Sequence, residues 1–304
     1  MTQRPRKIAI LAERGFAPAG QLRFPIARLA TASLVRDALN EDAADNDVTS
    51  VATIVSDRRE RCSIVARQAG VIAGIPLARE AFRQRNPRAS IRAAVKDGEK
   101  VAAGTPVMFV TGHARGLLSA ERAALNFMQR LSGIATLTHE FVVAVAGTSA
   151  RILDTRKTTP GWRRLEKYAV RAGGGMNHRM DLGSVVLIKD NHIAALDGDV
   201  AMAVQRARDT APAGMRIEVE CDSLEQISQA LEARPDVILL DNMPVKTMRA
   251  AVEMIGGRAV IEASGGVTLA TVRGIAESGV DWISVGALTH SAKALDLALD
   301  FQKL

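Results

Sequence analysis

Cationic side chains cluster in three short motifs of this 304-residue chain. DTRKTTPG contains Arg156 and Lys157, GGGMNHRM contains His178 and Arg179, and Lys189 follows an apolar run. If these groups share one pocket, stability alone does not explain them, because each desolvated charge costs several kcal/mol unless it is compensated. Binding of a polyanionic ligand does explain such a cluster, since each charge-assisted hydrogen bond contributes roughly 1.5–3 kcal/mol. For any single residue, a surface ion pair is the alternative.

Two acidic residues, Glu220 and Asp241, come at the ends of neighbouring apolar runs. Mg²⁺ is usually held by one or two carboxylates together with substrate phosphates. The pair therefore predicts a Mg²⁺ site for a substrate that carries pyrophosphate. Capping of the helix that follows is the alternative for each acid taken alone.

Glycine-rich turns end two successive apolar runs, at Ser264-Gly265-Gly266 and at Gly286. Backbone N–H groups in such turns bind phosphate, particularly where a helix follows. In TIM barrels the loops after the last two strands often hold a phosphate. The pattern favours a phosphate site, with ordinary tight turns as the alternative.

The second half of the chain alternates apolar runs of strand length with amphipathic helices. The runs lie at 151–153, 184–188, 216–219, 236–240, 259–263 and 282–285. This alternation predicts a parallel sheet. The polar motifs follow the runs, as they do at the mouth of a (β/α) barrel, although a doubly wound sheet gives the same pattern. The even repetition favours a barrel, and six units rather than eight predict an irregular, open one.

The first half is different, because short alternating segments at 62–66, 90–95 and 107–110 are separated by glycine turns. Helices are predicted at 31–44, 117–133 and 136–146. The fold class is therefore α/β, an irregular open barrel with a smaller N-terminal α+β domain. The predicted domains are a tail (1–30), the α+β domain (31–132), the catalytic barrel (133–287) and a C-terminal helix (288–304).

The composition is that of an ordinary globular protein, with 47 % hydrophobic and 24 % charged residues. No run reaches the roughly 18 apolar residues of a membrane helix, and Glu13 and Arg14 interrupt the apolar N-terminal segment. We therefore expect a cytoplasmic protein with no membrane partner. The net charge of +7 would suit a nucleic-acid-binding protein, but only 3 % of the residues are aromatic, so few side chains are available for bases to stack on. No nucleic-acid partner is predicted.

The motifs DTRKTTPG, LEKYAVRAGGGMNHRM and VVLIKDNHIAA resemble the central signature of the quinolinate phosphoribosyltransferase family. The resemblance extends over roughly residues 34–291 and includes ERAALN, IEVECDSLEQ and IEASGGVT. It implies a homodimeric, Mg²⁺-dependent enzyme of NAD biosynthesis. Such an enzyme joins quinolinate to the ribose phosphate of phosphoribosyl pyrophosphate and releases pyrophosphate and carbon dioxide, which gives nicotinate mononucleotide.

The resemblance also implies a role for each site residue. Arg122 reaches the partner subunit's site, and the quinolinate carboxylates are held by Arg156, His178 and Arg179. Lys157 and Lys189 contact quinolinate or donor phosphates, and Glu220 and Asp241 bind Mg²⁺ and the ribose. The 5-phosphate is held by Ser264, Gly265 and Gly286, and the substrate-binding set is completed by Thr155, Gly266 and Ala287. Of these, Glu220, Asp241, Lys157 and Lys189 are the expected catalytic residues.

Some positions depart from the family pattern, notably Trp162, Ala172 and Asp181 with the loop Gly183-Ser184-Val185. Asp181 lies two residues from Arg179 and could compete for it. We expect Asp181 to point away from the pocket, because a carboxylate beside a dianion site would be unfavourable.

Three rival functions are weighed against this one. A molybdenum-transport paralogue shares the fold but lacks the complete NHR and IKDNH segments. A Schiff-base lyase would use Lys189 as its nucleophile, yet such a lysine prefers apolar surroundings or a single cationic neighbour. A nucleic-acid binder would show strongly salt-dependent binding to random DNA.

Overall fold

The computed structural model describes residues 22–302, so the predictions for residues 1–21 lie outside the described residues. In chain order the helices and strands are α1 (Arg28–Glu41), α2 (Val48–Thr53), β1 (Arg59–Ala66), β2 (Gly70–Val71), α3 (Ile75–Arg85), β3 (Ser90–Ala93), β4 (Lys100–Val101), β5 (Pro106–His113), α4 (Ala114–Ala144), β6 (Arg151–Leu153), α5 (Arg163–Ala172), β7 (Val186–Ile188), α6 (Asp190–Ala194), α7 (Val200–Thr210), β8 (Ile217–Cys221), α8 (Leu224–Glu232), β9 (Val237–Asp241), α9 (Val245–Ile255), β10 (Val260–Ser264), α10 (Val272–Ala276), β11 (Trp282–Ser284), α11 (Ala287–His290) and β12 (Leu297–Phe301).

These elements form two compact units that do not follow the predicted domain boundaries. One unit comprises residues 22–139, 160–174 and 292–302, and the other comprises 140–159 and 175–291. Helix α5 and strand β12 therefore belong to the first unit, although both lie far along the chain. Helix α1 begins at Arg28, inside the segment predicted as a tail.

The first unit contains a four-stranded antiparallel sheet in the order β12-β1-β5-β3. The predicted C-terminal helix 288–304 is wrong at this point, because β12 pairs with β1 and places Leu297 opposite Ala66. The sequence LALDF alternates apolar and less apolar residues, which suits a strand. Pairing also supplies hydrogen-bond partners to β1, which would otherwise be an edge strand.

Helix α4 is a single helix of 31 residues rather than the two predicted. Gly133, which suggested a break, lies inside it. A Cβ atom there would lie 2.0 Å from the Lys293 carbonyl oxygen. The glycine therefore permits close approach of another backbone segment and does not end the helix.

The second unit is built on six parallel strands in the order β6-β11-β10-β9-β8-β7. The sheet confirms the predicted irregular, open barrel, with β6 and β7 as its edges. Alternate residues of each strand face inward. Leu153, Met176, Val237, Val260 and Trp282 form a buried apolar cluster of this unit, whereas the polar motifs come at or beyond the carboxyl ends of the strands.

Between residues 22 and 302, no helix is both long enough and apolar enough to span a bilayer.

Candidate active site

A cavity of about 740 Å³ lies at the carboxyl ends of the barrel strands. Every predicted site residue except Arg122 lines it, namely Thr155, Arg156, Lys157, His178, Arg179, Lys189, Glu220, Asp241, Ser264, Gly265, Gly266, Gly286 and Ala287. Their individual roles stay predictions. Arg122 is exposed on α4, in the other unit.

The mouth of the cavity carries the two predicted Mg²⁺ ligands on neighbouring strands. Glu220 lies in β8 and Asp241 ends β9. The Glu220 Oε2 atom accepts a hydrogen bond from Lys189 Nζ at 2.9 Å. The Asp241 Oδ2 atom accepts one from Asn242 Nδ2 at 2.8 Å. Two carboxylates facing one cavity supply the hard oxygen donors that Mg²⁺ prefers, so this donor set fits the ion.

The turn after β10 has the geometry expected where only glycine fits. Gly265 and Gly266 have φ of +92° and +59°, both in the left-handed region. A Cβ atom on Gly265 would lie 2.1 Å from Asn242 Oδ1 and 2.9 Å from the Asn242 backbone nitrogen. Helix α10 starts only at Val272. The loop 264–268, rather than a helix terminus, therefore borders the cavity here.

Two arginines contribute much of the positive charge near the base of the cavity. Arg179 is 9 % exposed, and its Nη1 donates to the Val185 carbonyl at 3.2 Å. Burial and the neighbouring Arg156 both lower the pKa of Arg179, whereas Glu218 and, less strongly, Asp181 raise it. Arg179 therefore lies in a site where positive charge is already concentrated, and an anionic ligand would relieve the repulsion.

Asp181, the main departure from the family pattern, is exposed and does not line this cavity. Its Oδ1 atom accepts a hydrogen bond from the Gly183 backbone N–H at 3.0 Å. The carboxylate thus stabilises its own loop, as expected for an Asp side chain in a turn. Trp162, a second departure, stacks on Phe127 with ring centroids 5.3 Å apart.

A buried acidic pair at the cavity, Glu218 and Glu262, was not predicted. His178 Nε2 lies 3.3 Å from Glu218 Oε1 and 3.4 Å from Glu262 Oε2. The Ser284 hydroxyl donates to the other oxygen of Glu262. Glu218 and Glu262 each precede a predicted site residue by two positions in a strand, so the period-2 alternation of the strands could have indicated them.

The two glutamates control the charge of His178. Burial alone lowers the pKa of His178, but Glu262 and Glu218 outweigh it and raise the pKa to about 10. The Nδ1 atom lies 2.7 Å from the Arg179 backbone nitrogen, a contact that favours an unprotonated Nδ1. Burial and Glu262 raise the pKa of Glu218. Burial also opposes ionisation of Glu262, but His178 and Ser284 outweigh it and lower the pKa of Glu262, so Glu262 supplies the negative charge that favours the protonated ring of His178.

The cavity belongs to a chain that matches a known family along most of its length. Residues 47–132 match the family model "Quinolinate phosphoribosyl transferase, N-terminal domain", and residues 134–300 match its C-terminal counterpart. The chain is 47 % identical over 274 residues to a nicotinate-nucleotide pyrophosphorylase (carboxylating) of Mycobacterium leprae, which covers 88 % of this chain and 95 % of that protein. It is 43 % identical over 260 residues to a probable enzyme of the same name from Bacillus subtilis, covering 86 % and 89 %.

Solved structures agree. The nicotinate-nucleotide pyrophosphorylase of Francisella tularensis superposes with a TM-score of 0.85 at 36 % identity, covering 92 % of this chain and 99 % of that one. The corresponding protein of Ehrlichia chaffeensis gives 0.85 at 38 % identity, covering 91 % and 99 %. Together with the two family models, these matches show that the chain belongs to the quinolinate phosphoribosyltransferase family.

Proposed function

We propose that this protein transfers the phosphoribosyl group of phosphoribosyl pyrophosphate to quinolinate, with Mg²⁺, and releases pyrophosphate and carbon dioxide to form nicotinate mononucleotide. The observation that carries the proposal is the composition of one cavity. Arg156, Lys157, Arg179 and Lys189 line it together with the acids Glu220 and Asp241. Both substrates are highly anionic, and each finds cationic groups there.

Quinolinate, a dicarboxylate, is assigned to the part of the cavity lined by Arg156, His178 and Arg179. A guanidinium presents its N–H groups as a planar fork that matches a carboxylate. The two guanidinium groups and the imidazolium of His178 would hold both carboxylates of quinolinate. They would thereby point its ring nitrogen toward the donor. Orientation of this kind is a large part of what an enzyme supplies when a nitrogen lone pair needs no general base.

The donor is assigned to the remaining part of the cavity. The 5-phosphate lies at the turn of Ser264, Gly265 and Gly266 and at Gly286 with Ala287. Lys157, with Thr155 beside it, and Lys189 neutralise the pyrophosphate. Glu220 and Asp241 hold Mg²⁺ and the ribose hydroxyls. When bound, the ion adds positive charge where the pyrophosphate departs.

The chemistry then proceeds in two steps. The ribose carbon passes through an oxocarbenium-like state, stabilised by Glu220 and Asp241, as its bond to the pyrophosphate oxygen breaks and its bond to the pyridine nitrogen forms. The nitrogen becomes cationic. The bond between the ring and the adjacent carboxylate next breaks, its electron pair passes into the cationic ring, carbon dioxide leaves, and a proton takes its place on the ring. Fixed cations hold the dianion throughout.

We place the protein in the cytoplasm as a homodimer in which Arg122 enters the partner subunit's site. Arg122 is exposed on α4, where it is free to reach a second chain. Val48, Val51 and Val55 expose 59–67 % of their surface, an apolar area that a partner would cover. Both cysteines, Cys62 and Cys221, are free and buried, which agrees with a reducing compartment.

A coupled assay tests the proposal. Purified protein is mixed with Mg²⁺, phosphoribosyl pyrophosphate and quinolinate, and nicotinate mononucleotide is followed, with nicotinic acid as the control acceptor. Product from quinolinate alone is expected. No product from either acceptor, with folded protein, would favour the molybdenum-transport paralogue instead.

A further inference from the structure

Two fully buried glutamates, one of them in the cavity wall, have no place in the roles assigned above. Glu218 projects from β8 and Glu262 from β10, and each is 0 % exposed. Removing a carboxylate from water costs several kcal/mol, and well-packed apolar residues in its place are often as stabilising or more so. Stability therefore does not explain why the centre of a barrel keeps two of them.

Glu262 itself borders the cavity, and Glu218 is connected to it through His178. His178 Nε2 faces Glu218 Oε1 at 3.3 Å and Glu262 Oε2 at 3.4 Å. The His178 ring also lines the cavity. The Ser284 hydroxyl donates to Glu262 Oε1, so one oxygen of Glu262 is hydrogen-bonded and the other faces the imidazole ring.

The charges around His178, Glu218 and Glu262 also support a link between the buried glutamates and the cationic cavity. Arg156 repels the buried Arg179, and Glu218 attracts it. Arg216 also acts favourably on the carboxylates of both glutamates. Glu262, whose pKa is lowered, is thus a resident counter-charge in a cationic pocket before any anionic ligand arrives.

We propose that Glu262 is a positioning residue for quinolinate, which acts by holding the His178 imidazolium in place against one carboxylate of the acceptor. Glu218 shares the ring nitrogen, and Ser284 fixes Glu262. The inference rests on the proposed function and assigns residues to the quinolinate half of the site only. The donor half, at the glycine turn and the two lysines, is independent of it.

A metal ion is the competing occupant, since ligand atoms of His178, Glu218 and Glu262 lie within 4.8 Å of one another. Ser284 already occupies one oxygen of Glu262, and neither glutamate is accessible to solvent. These features favour a proton shared with the imidazole over an ion. Metal analysis of the purified protein distinguishes the two.

The test is Glu262→Gln, which keeps the size of the side chain and removes its charge. We expect the KM for quinolinate to rise at least about tenfold while the KM for phosphoribosyl pyrophosphate changes by less than about twofold. The ¹⁵N resonances of the His178 ring should shift in the same variant. Ser284→Ala should give a smaller change in the same direction, and it keeps both carboxylates if Glu262→Gln fails to fold.

Asp236→Asn is the matched control. Asp236 is a buried carboxylate of the same barrel, 4 % exposed, but it lies at the amino end of β9 and accepts a hydrogen bond from the Ile217 N–H at 2.8 Å. It should leave both KM values unchanged. The inference is overturned if Glu262→Gln raises both KM values equally or lowers kcat alone, if Asp236→Asn has the same effect, or if the wild type carries one equivalent of metal that Glu262→Gln loses. An inactive wild type would instead refute the proposed function.

Discussion

Lys189 and Glu220 form an ion pair at the mouth of the barrel, with Nζ 2.9 Å from Oε2. Lys189 follows β7 and Glu220 lies in the neighbouring parallel strand β8. The lysine side chain is 46 % exposed. Exposed pairs contribute only about 0–1 kcal/mol to stability, so the importance of this pair lies in its chemistry, as a cation for the pyrophosphate beside an anion for Mg²⁺ and ribose.

Glu220→Gln should therefore separate activity from stability. We expect kcat to fall by about 10²–10³, the usual cost of losing one preorganised electrostatic group, with little change in Tm. Steady-state kinetics and thermal unfolding of the same preparation measure both. The control is Glu277→Gln, which breaks an exposed ion pair with Arg273 at 2.6 Å. This variant should keep both the wild-type kcat and the wild-type Tm. Equal loss of activity in the two variants would contradict a role for Glu220.

Arg179→Lys should weaken quinolinate binding although the charge is kept. Lysine lacks the planar fork that binds a carboxylate with two bonds. We expect kcat/KM for quinolinate to fall about 10- to 100-fold, as for the loss of one charge-assisted hydrogen bond. Arg151→Lys, at the exposed start of β6, is the control, because it makes the same substitution outside the cavity. If Arg179→Lys kept wild-type kinetics, Arg179 would not bind the acceptor.

Gly265→Ala and Gly266→Ala should differ, although the two residues are adjacent and both have positive φ. A Cβ atom on Gly265 would overlap Asn242, including its backbone nitrogen, whereas nothing lies within 4 Å of one on Gly266. Gly265→Ala should displace the turn and raise the KM for phosphoribosyl pyrophosphate at least about tenfold. Gly266→Ala should cost roughly 1 kcal/mol of stability. The reverse order would exclude a phosphate site built on the Gly265 backbone.

The sequence predicted the barrel and almost all of its mouth for one physical reason. Parallel strands bring their carboxyl ends together, so polar motifs that follow separate strands meet without any long-range information. The helix predicted at 31–44 was also found, at Arg28–Glu41, because its apolar spacing is local. These are features that a short window of sequence determines.

What could not be predicted depends on partners far along the chain. The segment LALDF becomes a strand because β1, more than 230 residues earlier, lacks a partner on that side. In the sequence, Glu262 is a single acidic residue within an apolar run. Its role depends on contacts with His178 from a loop and with Ser284 from another strand. Strand register brings Glu262 and Ser284 together, and the loop that carries His178 completes the group.

The charge on His178 predicts a pH dependence of stability. The pKa of His178 rises from an ordinary 6.5 to about 10 in the folded protein. Its contribution to stability is therefore complete below about pH 6.5 and is lost as the pH rises toward 10. Urea unfolding of the wild type and His178→Asn should show their free energies of unfolding converging over this range. A difference that stays constant with pH would mean that His178 is neutral.

The shared-site dimer is tested by mixing two inactive variants. Arg122→Ala would damage the site of the partner subunit, whereas Glu220→Gln would damage the site of its own chain. After the two are denatured together and refolded, about half of the dimers are mixed, and each mixed dimer combines both lesions in one site and leaves the other intact. About a quarter of wild-type activity should return. If Arg122 acted within its own chain, every site would carry one lesion and none would recover, and size-exclusion chromatography would show whether dimers had formed at all.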